Sequence, residues 1–169
     1  FWFPLLGNVA FLIAFIMIYE VGLSVFKTKL MRQIAVGLLG AVIAIGIMSF
    51  PFQPYSGIFL DARTILIGVM AVVTGVLSTG ITAVVASLFW LIFGDVSALA
   101  GTAVILLSAA VGLVWRRWFF SKDKRWRLQL LNLYAMGLAV HLAALACLQL
   151  FPFLEDNGDF LLIAWPVLL

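Results

Sequence analysis

The sequence predicts an all-α, polytopic membrane helical bundle, and three observations predict it. Of 169 residues, 66% are hydrophobic and 10% charged, where a soluble domain carries about 25% charged residues; the mean hydropathy is +1.24. The apolar residues fall in runs that suit crossings of roughly 20 residues. Nine of the ten basic residues fall in two short stretches, Lys27, Lys29 and Arg32, then Arg116, Arg117, Lys122, Lys124, Arg125 and Arg127. This composition excludes a soluble enzyme, a disordered tail and a nucleic-acid binder, and makes the lipid bilayer the first partner. Six to seven transmembrane segments are expected, including a short-helix hairpin over residues 63–93.

The elements follow in order from charge parity. Short loops rich in Lys and Arg stay on the cytoplasmic side, while residues 155–159 carry three acids and no base, as an outer loop does. The first span, residues 4–26, therefore runs inward. The second, 33–50, returns to a breaker cluster at Pro51, Pro54 and Gly57. From Asp61 outside to Arg116 inside the crossings must be odd in number, and 63–77, 79–93 and 98–115 satisfy that. The first two are short: fifteen residues reach about 22 Å, against about 30 Å of hydrocarbon. They are expected to meet near Gly75, Ser78, Thr79 and Gly80 as a partly buried hairpin, because irregular backbone at membrane depth survives only inside protein or beside a cavity. Interrupted segments of this kind point to a binding site. A sixth span over 128–151 goes out and a seventh starts near Phe160. The chain is expected to be a multi-pass membrane protein with its N-terminus outside and its C-terminus in the cytoplasm.

Small residues at four-residue spacing, Ala71 with Gly75, Ser108 with Gly112, and Ala135, Ala139 and Ala143, predict close helix packing. Trp115, Trp118 and Trp126 flank the basic stretch as an interfacial belt does. Four residues are candidates for ligand binding. Arg63 is the one basic residue outside the two clusters, two positions after Asp61; its planar fork suits a small carboxylate or phosphate, and the plain alternative is a helix start capped by Asp61 with Arg63 at the headgroups or paired with an acid. His141 falls near the middle of the sixth span, where a titratable group either binds a ligand or bonds a neighbouring carbonyl. Trp90 is the fourth, on grounds given below. Glu20 and Asp95 read as an interfacial acid and turn chemistry. Cys147 is the only cysteine, so neither a disulfide nor a thiolate cluster is expected. No nucleophile elbow, phosphate loop or paired carboxylates occur, so no catalytic residue, metal or cofactor is expected.

Taken in order, the landmarks resemble the LytS/YhcK-type five-transmembrane sensor domain (5TMR-LYT), the membrane input module of bacterial diguanylate cyclases and histidine kinases. They are Tyr19-Glu20, then Met48 and Pro51, then the stretch from Ser56-Gly57 to Asp61-Ala62-Arg63, the glycines Gly75 and Gly80, Gly94 with Gly101-Thr102-Ala103-Val104-Ile105, Gly112 through Arg116-Arg117, the run Gly137-Leu138-Ala139-Val140-His141-Leu142, and Ala164-Trp165-Pro166. The resemblance implies a receptor domain over residues 1–169, a fragment with its last helix truncated. It passes a signal to a cytoplasmic output domain after residue 169, a diguanylate cyclase of the GGDEF type acting through cyclic di-GMP or the histidine kinase of a two-component system. It also implies a homodimer and a small carboxylate ligand held by Arg63. Many relatives have a second Arg about four residues before their Gly-Gly loop; here Trp90 stands there and the loop reads Gly94-Asp95, which implies an aromatic wall for a larger or less charged ligand instead of a two-arginine clamp around a carboxylate. The alternative reading is a substrate-capture subunit of an energy-coupling-factor-type transporter.

Overall fold

In the computed structural model the chain is described over residues 3–49, 52–55, 58–60, 62–93, 98–118 and 126–149. These residues form α1 (Phe3–Val25), α2 (Lys29–Ser49), β1 (Phe52–Tyr55), β2 (Ile58–Leu60), α3 (Arg63–Val73), α4 (Val76–Phe93), α5 (Ala98–Trp118) and α6 (Trp126–Gln149). The helices agree with the apolar runs, because in lipid a backbone must satisfy its own polar groups. Asp61, the Gly94-Asp95 loop, the 155–159 segment and the seventh span expected from Phe160 lie outside the described residues.

By length and composition, α2, α4 and α5 are each able to cross a membrane. Large apolar side chains ring the outside of the bundle, among them Ile16, Met17, Val42, Ile92, Leu106 and Leu131. So much exposed apolar surface suits lipid and not water. Thr28 starts α2: its Oγ1 accepts from the Met31 N–H at 3.4 Å, as an N-cap hydroxyl does. The helix thus begins earlier than the apolar run suggests and takes Lys29 and Arg32 into its first turns.

Close contacts set the helix directions. Gly37 on α2 lies against Ser78 and Ile81 on α4, and Gly40 against Thr82, so α2 and α4 run parallel. Gly112 on α5 meets Gly68 and Ala71 on α3, and Arg116 meets Gly75, so those two also run parallel. Gly101 at the start of α5 meets Trp90 near the end of α4, which makes that pair antiparallel. The alternation gathers the start of α2, the α3–α4 turn and the end of α5, with Lys29, Arg32, Arg116 and Arg117, at one basic end. Arg63 and Trp90 lie toward the other.

The hairpin differs from its expected form in one respect. The break falls at Thr74-Gly75, leaving α3 at 11 residues and α4 at 18, so one helix is short and not two. Ser78, Thr79 and Gly80 are inside α4. Gly75 has φ +100°, a conformation glycine adopts freely and other residues resist. Met70 O accepts from the Thr74 N–H at 2.8 Å and from Thr74 Oγ1 at 2.9 Å. Arg116 Nη1 donates to Val72 O at 3.0 Å, so the end of α3 is satisfied partly by α5. At 11 residues α3 extends about 16 Å, too short to cross alone. It packs on α2, α4, α5 and α6 and buries Arg63, Leu66, Ile67, Gly68, Met70, Ala71 and Val72. The short helix is therefore the hub of the bundle.

A two-stranded antiparallel ribbon, Phe52 opposite Leu60 and Tyr55 opposite Ile58, occupies the segment of the breaker cluster. Aromatic and β-branched residues on both sides of Ser56-Gly57 favour strands.

The main core joins α1 to α5 through Phe15, Val36, Ile47, Leu66, Ile67, Met70, Ala86, Trp90 and Ile105. Two of the buried hydroxyls are tied to helix carbonyls. Ser108 Oγ donates to Val104 O at 2.7 Å, and Thr82 Oγ1 lies 2.8 Å from Gly37 O and 3.1 Å from Ser78 O. Thr82→Val removes the α2–α4 link while conserving shape. Its expected cost is about 0.6 kcal/mol, the mean for such bonds in membrane bundles, measured as a shift in the SDS unfolding midpoint in mixed micelles.

Candidate functional site

At the end of the bundle opposite the basic residues, α3 opens with a charged residue where an apolar one would fit. Ala62 occupies the N-cap position with no side-chain cap bond, and the first helical residue, Arg63, is 8% exposed. The guanidinium carbon lies 4.2 Å from the centroid of the Trp90 ring, a cation–π contact across the α3–α4 hairpin. Trp90 is itself 8% exposed, so the pair is buried together, and the low dielectric around it strengthens any charge interaction made there.

The hairpin turn produces this meeting. Thr82 Oγ1 reaches Met70 Sδ at 3.6 Å, which fixes the antiparallel register, and two helical turns farther on the same register sets Arg63 opposite Trp90. Gly101 then fixes the indole from α5: a Cβ at that position would overlap the Trp90 Nε1. Sequence reasoning noted Gly101 within a family motif but gave it no role in the site. Gly101→Ala is expected to drive the indole off its position and so disturb the Arg63 stack. Overpacking of this sort costs about 1–3 kcal/mol. The change is read as a red-shifted tryptophan emission, which should be absent when Trp90→Phe is added.

Ser87 lies one turn before Trp90 on the same face of α4; it is buried and its Oγ has no hydrogen-bond partner. Asn8 on α1 is likewise buried with an unpartnered Oδ1. The packing of Phe11 on Gly46 places it toward the same end of the bundle. Both went unremarked in the sequence. A lone amide in the apolar run of α1, and a hydroxyl three residues before a tryptophan, were the available signals.

His141 is not brought to this group. It is half-buried on α6, and its Nδ1 lies 2.8 Å from Gly137 O of its own helix. Gly137 O can only accept, so Nδ1 is the donor in that bond. Of the four expected residues, then, Arg63 and Trp90 meet, His141 stands apart, and Asp61 lies outside the described residues. Glu20 is exposed on α1, and Cys147 is half-buried on α6.

What the arrangement offers is a buried arginine stacked face-on against an indole. A guanidinium stacked this way presents its N–H donors edge-on, the geometry of bidentate carboxylate recognition. Among the described residues no cluster of three metal-ligating side chains occurs.

A family model described as "5TMR of 5TMR-LYT" matches residues 16–169. No curated protein matches the chain, and no solved structure matches it.

Proposed function

Because the chain belongs to the 5TMR-LYT family of membrane sensor domains, we propose that it is the input module of a receptor whose signal is a small carboxylate recognised at Arg63 and Trp90. The observation that carries this reading is the buried guanidinium stacked 4.2 Å above the Trp90 ring. An arginine inside an apolar bundle is expensive and is usually retained for function. One arginine backed by an indole suits a ligand with a single carboxylate and a flat or apolar body, so the indole takes the part an additional cation plays for a more highly charged ligand. Ser87 and Asn8 supply further polar groups at that end of the bundle.

In this reading the basic end faces the cytoplasm, as the positive-inside bias favours, and the Arg63 end faces the periplasm of a bacterial inner membrane. The ligand favours one packing of the hairpin over another. It shifts that equilibrium only by its differential affinity for the two, and the shift reaches a cytoplasmic diguanylate cyclase or histidine kinase output domain, most simply through a homodimer. The test is to assay the full-length protein in membrane vesicles while titrating small monocarboxylates. A saturable change in output activity supports the receptor reading. Uptake of the carboxylate with no output activity would replace it with substrate capture for a transporter.

A further inference from the structure

We propose that α3 is a rigid link between two arginines, so that displacing Arg63 from Trp90 at one end loosens the grip of Arg116 on Val72 at the other. This deepens the receptor reading and rests on it for the source of the displacement.

The geometry carries the idea. Arg63 is the first residue of α3, and Val72 O lies in its last turn. The helix contains no proline, so a push at one end is not absorbed by a kink between. At Gly112 the seam with α5 carries only the Gly68 backbone and the Ala71 methyl, while Ile105 shares one apolar cluster with Leu66 and Ile67 and Trp115 shares another with Val72. Small axial shifts of packed helices are an ordinary means of transmission.

The far end is built to open. Gly75, with φ +100°, leaves bare the space beside the Arg116 guanidinium, whose Nη1 lies 3.2 Å from where a Cβ would stand. Arg116 is exposed, so on release its charge passes to water or headgroups without burial. Engaged, it holds a carbonyl at the negative end of the α3 dipole and ties the α3–α4 turn to α5. Arg116 therefore acts as a latch, and the position of the α5 end relative to that turn is what a ligand alters.

The experiment needs no ligand. Spin labels are placed at Val76 and Trp118, both exposed, in full chains carrying Cys147→Ser and reconstituted in nanodiscs. Arg116→Ala is expected to shift the label-to-label distance upward. Arg63→Ala is expected to produce the same shift from the opposite end of α3, and the double variant no more than the larger single one, because both act through one element. Arg63→Lys, which keeps the charge and loses the planar stack, serves if Arg63→Ala fails to insert. An unchanged distance in the Arg63 variant, or additive shifts in the double variant, would overturn the link. A failed carboxylate titration with the coupling intact would overturn only the ligand reading.

Discussion

Arg63→Ala is expected to abolish the thermal stabilisation that a bound monocarboxylate gives the purified domain. Truncating one partner of a buried, hydrogen-bonded charge pair costs about 2–5 kcal/mol, which is roughly a 30-fold or greater loss of affinity. The basal stability should move less, since a cation–π contact contributes about 0.5–2 kcal/mol. Arg63→Lys separates the two effects: it keeps the charge but loses the planar fork and the stack on Trp90, and should bind with intermediate affinity. Equal ligand-induced shifts in wild type and Arg63→Ala would remove Arg63 from the binding site.

The second large effect is expected at Gly112. A methyl there would stand 2.6 Å from the Ala71 Cβ, 2.8 Å from the Gly68 carbonyl oxygen and 3.3 Å from the Gly68 Cα. Two of these three are backbone atoms, which cannot swing aside as a flexible side chain does. Gly112→Ala must separate α3 from α5 or rotate one of them, at the overpacking cost of about 1–3 kcal/mol. The same separation draws Val72 O away from Arg116. Gly80→Ala is the control: nothing lies within 4 Å of a Cβ built there, and alanine is the better helix former by about 1 kcal/mol. SDS unfolding in mixed micelles should therefore show the Gly112 variant less stable and the Gly80 variant unchanged or more stable.

The contrast between those glycines shows what the sequence made legible. Runs of apolar residues bounded by charges were enough to place α1, α2, α5 and α6, because in a bilayer length and hydropathy alone decide what becomes a helix. The small-residue spacing of Ala71 and Gly112 correctly announced close packing. The hairpin was harder. Gly75, Ser78, Thr79 and Gly80 all read as breakers, and local propensity does not choose among them. Tertiary structure does, since Arg116 satisfies the end of α3 and Thr82 bonds across to Gly37, which holds residues 76–82 in helix. That choice sets the register. A break moved toward Thr79 would slide α4 along α3 and carry Trp90 away from Arg63, whereas the observed break after Thr74-Gly75 leaves Met70 beside Thr82 and Arg63 beside Trp90. Arg63 and Trp90 could each be singled out by residue type, but not their contact, and Gly101 gained its role only once α5 was seen to pack on the indole.

The central claim is that Arg63 and Trp90 together receive the ligand. The most direct measurement is fluorine NMR on the domain labelled with 5-fluorotryptophan, the Trp90 resonance being assigned by its loss in Trp90→Phe. Titration with a small monocarboxylate should move the Trp90 resonance saturably in wild type and leave it in place in Arg63→Ala. A carboxylate that stabilises the domain while the Trp90 resonance stays fixed would place its site elsewhere and contradict the account.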